Sequence, residues 1–268
     1  MSNTTNIAWT DHTWNPLHGC SRVSDGCRNC YAETLSYDRY GWTDKPWTAE
    51  NAEENITLKH DRLEPGGDGH PSTFDEPKRI FVNSMSDLFH TVVPEEFIRE
   101  TFAEMRNYPH HVFQILTKRP GRAAHMTLDW PPNVWMGTSV EDERVLSRLD
   151  LLRDCDADTL FVSFEPLIGP VADSHDDLDL SGYDWAIVGG ESGPEYREMA
   201  HEWVWPIRRA CMIQDVAFFF KQSSAFQNES DPYLRCPDGV RREFTEMPAL
   251  HSEVKRAREE FDQREVVA

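Results

Sequence analysis

Between residues 79 and 222 the chain repeats one phrase at least six times: a short apolar run, one or two polar residues, then a helical pattern. The runs are 79–84 (RIFVNS), 112–117 (VFQILT), 134–139 (VWMGTS), 159–164 (TLFVSF), 185–190 (WAIVGG) and 217–221 (AFFFK). Helical patterns fall at 94–107, 121–126, 141–154 and 201–213. Strands alternating with helices read as parallel strands with helical crossovers. The runs are apolar almost throughout, as expected of strands covered on both faces. This rhythm predicts an α/β fold, a complete or partial (β/α) barrel of parallel strands, in preference to a doubly wound open sheet. Upstream, residues 6–14 and 55–60 are expected to add two short strands. A helix is expected between them, from near Cys30 to about Tyr40. Segments 41–54, 64–77 and 171–183 read as loops from their Gly, Pro and Asp content. One barrel domain is expected over 1–245, with a charged helix or tail over 246–268.

In parallel barrels the reactive end is the carboxyl end of the strands. Here those ends carry Asn83, Ser84 and Asp87, then Lys118 and Arg119, then Ser139 and Glu141. Glu165, the Gly189-Gly190-Glu191 turn and Lys221 follow on the later strands. Any one polar strand end is explained by the chain leaving the core, but a succession of them rings a mouth. Glycines at 189 and 190 would let a ligand approach the backbone. Lys118, Arg119 and Lys221 suit a carboxylate or phosphate. Lys221 follows three phenylalanines, so a buried head would need an acidic partner, Glu165 or Glu191.

Into the same mouth would fall the loop after the first strand, which holds three of the six cysteines as Cys20-x6-Cys27-x2-Cys30. A structural zinc site closes with four ligands, and His18 or Cys236 could supply a fourth. An iron–sulfur cluster held by three cysteines keeps one iron open. Tyr31 directly after Cys30 could flank a planar group. Cys155 and Cys211 lie in apolar, helix-like segments and read as buried structural thiols.

Charge narrows the partners less than its size suggests. The net charge is −20, and six of the 27 basic residues are lysine. Acid excess of this kind resembles proteins of high-salt cytoplasm, where screening weakens repulsion between carboxylates. It disfavours nonspecific nucleic-acid binding at ordinary salt. Arg235, Arg241, Arg242, Lys255, Arg256 and Arg258 form a basic cluster that could serve a non-catalytic nucleic-acid or phage-partner module. No apolar run of roughly 20 residues occurs, so no membrane helix is expected. The first residues show no secretory pattern, and a cytoplasmic location is expected.

Together these residues resemble radical S-adenosylmethionine (radical SAM) enzymes, and more closely a phage- and prophage-associated radical-SAM-like family. The match runs through 13–16 (TWNP), the three cysteines with Tyr31 and Ala32, 80–90 (IFVNSMSDLFH) and 114–120 (QILTKRP). It continues through 137–141 (GTSVE), 165–167 (EPL), 188–194 (VGGESGP) and 218–222 (FFFKQ), covering roughly residues 8–225. The first cysteine gap is longer than in the usual Cys-x3-Cys-x2-Cys loop, and the Gly-Gly-Glu element comes late instead of after an early strand. The resemblance implies a [4Fe–4S] cluster on Cys20, Cys27 and Cys30, with S-adenosylmethionine chelated by the open iron. An electron donor would then drive cleavage to a 5′-deoxyadenosyl radical acting on a nucleic acid, nucleotide or peptide. The cofactor-binding candidates are Tyr31, Asn83, Ser84, Asp87, Ser139, Glu141, Gly189, Gly190 and Glu191. The catalytic candidates are Lys118, Glu165 and Lys221.

Overall fold

The computed structural model describes residues 5–228 and 231–267, with side chains through residue 263. The expected domain limits at residues 1 and 268 lie outside the described residues. Seven strands form one sheet: β1 (His12–Trp14), β2 (Arg79–Val82), β3 (Val112–Thr117), β4 (Val134–Ser139), β5 (Thr159–Phe164), β6 (Trp185–Gly189) and β7 (Ala217–Gln222). They pair in chain order and every pair is parallel.

Side-chain alternation sorts each strand's residues between two clusters. Outward residues such as Phe113, Ile115, Val162, Ala186 and Phe220 join a layer shared with the helices. Inward residues Phe81, Val112, Trp135, Phe161, Trp185, Ile187 and Phe219 form a separate cluster with Trp9. Trp9 precedes β1, yet its ring lies 6.5 Å from Phe161 on β5 and 6.1 Å from Trp185 on β6. The sheet is therefore curled around an aromatic interior. Because β1 and β7 do not pair, it is a partial (β/α) barrel. Gly137 on β4 makes the curl possible: a Cβ there would lie 2.3 Å from the Phe161 ring.

Helices α1 (Glu95–Asn107), α2 (Pro120–His125), α3 (Ser147–Arg153) and α4 (Val204–Ile213) follow β2, β3, β4 and β6. In α1, Phe97, Ile98, Thr101, Phe102 and Met105 recur at helical spacing and are buried. The last helix, α5 (Ser252–Val267), buries Val254 at the amino-terminal end of the barrel. Arg258 on α5 donates to the His110 carbonyl at 3.0 Å.

Two expectations need correction. Of residues 55–60 only Thr57–Leu58 is a strand, and it pairs antiparallel with Leu17–His18 outside the barrel sheet. Lys59 N–H donates to the Pro16 carbonyl at 2.7 Å, so this segment braces the cysteine loop and adds no barrel strand. The expected helix after Cys30 is one α turn, Tyr31–Glu33, followed by wider π turns over Thr34–Arg39.

Candidate metal centre at the barrel mouth

The cysteine loop leaves β1 at Trp14 and is fastened to one strand end after another. Asn15 Oδ1 accepts from Ser84 Oγ and Met85 N, each at 3.1 Å. Asn83 holds a left-handed φ of 63°, which asparagine tolerates better than most residues. Its Oδ1 accepts from Leu17 N at 3.2 Å. Gly19 has φ of 86°, and a Cβ there would lie 2.1 Å from the Asn55 carbonyl oxygen. The loop then crosses the mouth. Ser21 meets Arg119 beyond β3 and His90. Ser24 Oγ donates to Glu141 beyond β4 at 2.8 Å, and Asn29 Nδ2 donates to Glu191 beyond β6 at 3.0 Å. The six residues between Cys20 and Cys27 are the length that spans from the β3 side to the β4 side. Gly26 has its α-carbon against Glu141, whose Cγ would lie 2.2 Å from an added Cβ.

The three thiols share one electrostatic neighbourhood. Burial, then the charge of Asp87, pushes Cys20 up to about 12 against the pull of Arg119, and Cys30 adds to the rise. Burial likewise raises Cys30, with Cys27 contributing. Cys20 Sγ accepts from Arg119 Nη1 at 3.7 Å, and Cys27 Sγ lies 3.9 Å from Ser24 Oγ. Among the described residues, no three His, Cys, Asp or Glu side chains converge as ligands of a single ion.

The fourth ligands of the zinc alternative lie elsewhere. His18 Nε2 pairs with Arg62 at 3.2 Å and its ring stacks on Trp42. Burial, then the Arg62 charge, lowers His18 to about 4. Cys236 is buried in the small hairpin formed by Leu234–Arg235 and Arg241–Arg242, its thiol donating to the Leu234 carbonyl at 3.8 Å. Among the described residues, the contacts of His18 and Cys236 are with these groups and not with the three loop thiols.

The strand-end residues divide by how their hydrogen-bonding capacity is used. Asp87 is filled by four donors: Phe89 N at 3.0 Å, Thr117 Oγ1 at 2.7 Å, Lys118 N at 3.1 Å and Arg119 Nη1 at 2.9 Å. A carboxylate offers about four acceptor sites, so Asp87 fixes the mouth and has none left for a ligand. Glu141 accepts from Lys118 Nζ at 2.5 Å, Arg148 at 2.9 Å and Ser24. Burial acts to raise Glu141, but Lys118 and Arg148 outweigh it and hold the carboxyl below its usual range. Glu191 is lowered in the same way, with Arg197 and Asn29 overcoming burial. Ser84 spends its hydroxyl on Asn15 and its carbonyl on the Tyr31 hydroxyl at 2.5 Å. The Ser139 carbonyl accepts from Arg148 at 2.8 Å.

Lys221 finds Glu165 as its partner, Nζ to Oε1 at 2.5 Å, both side chains largely buried. Gly189 faces this pair; an added Cβ would lie 3.1 Å from the Glu165 carboxyl carbon. At Gly190 a Cβ would lie 2.3 Å from Ser224 N, so the missing side chain lets these two segments pack. Ser163 Oγ, two residues before Glu165 and alternating onto the inner face, is buried with no hydrogen-bond partner among the described residues, as is Asn83 Nδ2.

Sequence reasoning missed Ser24, Asn29 and Arg148 as members of this network. Ser24 and Asn29 carried one signal, their place inside the cysteine loop. Arg148 on α3 carried none. In the basic cluster, Arg241 pairs with Asp231, Arg242 with Asp238 at 2.6 Å, and Arg258 with a carbonyl. Arg241 and Arg242 remain about half exposed in these pairs.

No curated protein matches the chain. Two solved structures resemble it. Spore photoproduct lyase complexed with dinucleoside spore photoproduct is 8% identical, with a TM-score of 0.42 over 97% of this chain and 75% of that one. A single-site mutant of spore photoproduct lyase is 9% identical, with a TM-score of 0.40 over the same shares. Over residues 4–266 the sequence matches the family described as "Protein of unknown function (DUF5131)", and the chain belongs to that family.

Proposed function

We propose that the mouth holds a [4Fe–4S] cluster on Cys20, Cys27 and Cys30, binds S-adenosylmethionine beside it, and starts radical chemistry on a substrate at the barrel opening. The observation that carries this reading is one loop bearing three thiols, docked by Ser21, Ser24 and Asn29 across the carboxyl ends of parallel strands. The donor set fits the group. Thiolates of a cubane sit on different irons, so they stand farther apart than ligands of a single ion. Three sulfurs also leave one iron open.

When bound, the cluster supplies the single electron that splits the sulfonium of S-adenosylmethionine. The chain supplies binding, orientation and exclusion of water. Asn83 and Gly19 set the loop's path, and Glu141, clamped by Lys118 and Arg148, anchors its middle. Ser163 Oγ and Asn83 Nδ2 offer unused polar atoms to a bound molecule. The Glu165–Lys221 pair presents both signs of charge on the inner wall. A positioned pair of this kind suits a ligand that carries an ammonium, a carboxylate or both.

The test is anaerobic incubation of the reconstituted protein with S-adenosylmethionine and dithionite, followed by chromatography for 5′-deoxyadenosine. Release by the wild type and none by Cys30→Ala is the expected result. A cluster-loaded protein that releases no 5′-deoxyadenosine sinks the cleavage step.

A further inference from the structure

The three thiols are not treated alike. Cys27 is approached by a neutral hydroxyl, and Cys30 by backbone N–H groups of Ala32 and Glu33. Among the described residues, Cys20 alone of the three accepts from a charged side chain, Arg119, at 3.7 Å. Both terminal nitrogens of that guanidinium are held. Nη1 also donates to Asp87 at 2.9 Å, and Nη2 donates to the Ser21 carbonyl at 3.0 Å and to its hydroxyl at 3.2 Å. Asp87 is immobilised by three further donors, one of them Thr117 Oγ1, which itself accepts from Arg119 N at 3.0 Å. Ser21 is held in turn by His90 Nε2 at 2.7 Å. Both charged side chains are nearly buried, 11% exposed for Arg119 and 8% for Asp87.

Resting on the cluster reading above, we propose that Arg119 is a positioning residue that acts through Cys20 to set the cluster's reduction potential. A cationic donor on a ligating sulfur favours the state with the extra electron, and hydrogen bonds to the sulfurs are among the terms that fix such potentials. Asp87 offsets much of the guanidinium charge at long range. It also keeps the cation pointed at one sulfur, so the effect at Cys20 persists. This assigns a purpose to Asp87, Thr117 and Arg119 as a unit: they present a fixed positive donor to one corner of the cluster, and an external one-electron reductant fills the state they favour.

The test compares wild type, Arg119→Gln and Arg119→Lys after anaerobic reconstitution. Iron and sulfide are counted per chain, and the midpoint potential is read by dithionite titration with EPR of the reduced cluster. Equal iron in all three is expected. The reduction equilibrium of Arg119→Gln should fall about tenfold, which is about 59 mV for a one-electron couple. Arg119→Lys keeps the charge without the fork and should fall about threefold. It stands as the test if the glutamine variant does not fold. An unchanged potential in the folded variants overturns the proposal. So does loss of iron from both, which would make Arg119 an assembly residue. A wild type that takes up no iron overturns the cluster reading itself, and this proposal with it.

Discussion

The two ends of the same seven strands are built from opposite materials. At the amino-terminal end the inward residues are rings, with Trp9, Trp135, Phe161 and Trp185 packed edge to face or tilted. At the carboxyl end they give way to Ser163, Lys221 and Gly189, with Glu165, Glu141 and Asp87 just beyond the strands. Strand β5 and its exit pass from one regime to the other within five residues, from Phe161 through Ser163 to Glu165 just past the strand end. The lesson is a division of labour. The base holds the curl of the sheet by burial, and the mouth spends its polar groups on holding one cysteine loop.

The contrast can be broken most severely at the cysteines. Cys27→Ala should abolish iron retention while leaving the thermal midpoint of the iron-free protein nearly unchanged, as read by iron assay and circular dichroism. A variant that keeps full iron contradicts the role of the loop. At the other end, Trp185→Ala should cost about 3–5 kcal/mol in denaturant unfolding and leave the iron content of the folded fraction intact. A cost below about 1 kcal/mol would show that the rings do not hold the sheet. Gly26→Ala lies between these cases. Its Cβ would collide with Glu141, whose carboxylate is already clamped, so overpacking should cost about 1–3 kcal/mol and weaken iron retention.

A further contrast is in acid response, read as a slope of stability against pH. His111, immediately before β3 at the base, is brought down to about 3 by burial, reinforced by neighbouring His110. Below its ordinary value near 6.5 the unfolded chain binds this proton and the folded chain does not. Stability is therefore whole above that pH and falls by about 1.4 kcal/mol per pH unit below it. Glu141 and Glu191 at the mouth have lowered values. Their contribution is present above the usual carboxylate range and is lost only as pH falls through their lowered values. Urea titrations from about pH 7 to 4 should show the histidine loss, from His111 at the base and from His18 and His90 by the mouth, before the carboxylate loss. A His111→Gln variant should flatten the slope, and an unchanged slope would remove His111 as its cause.

Much of the frame was legible in the sequence because it rests on local pattern. Apolar runs gave the six strands from β2 to β7, and polar residues at their ends gave the mouth. The spacing of Lys221 after three phenylalanines called for a buried acid, and Glu165 fills that place. What was not legible depends on distance across the fold. Nothing near Gly190 foretells that Ser224 must pack on it, and nothing in α3 marks Arg148 as a partner of Glu141. Thr57–Leu58 looked like barrel sheet because periodicity records burial and not the identity of the neighbour. Asp87 read as a ligand group, since the donors that fill it come largely from the segment after β3, some thirty residues away.

The most direct measurement is the iron and acid-labile sulfide content of the purified chain after anaerobic reconstitution, taken with its absorption spectrum. The account predicts about four of each per chain, a brown protein, and loss of the colour in Cys20→Ala, Cys27→Ala and Cys30→Ala alike. A colourless wild type holding one zinc per chain, or iron that survives removal of all three cysteines, would contradict it.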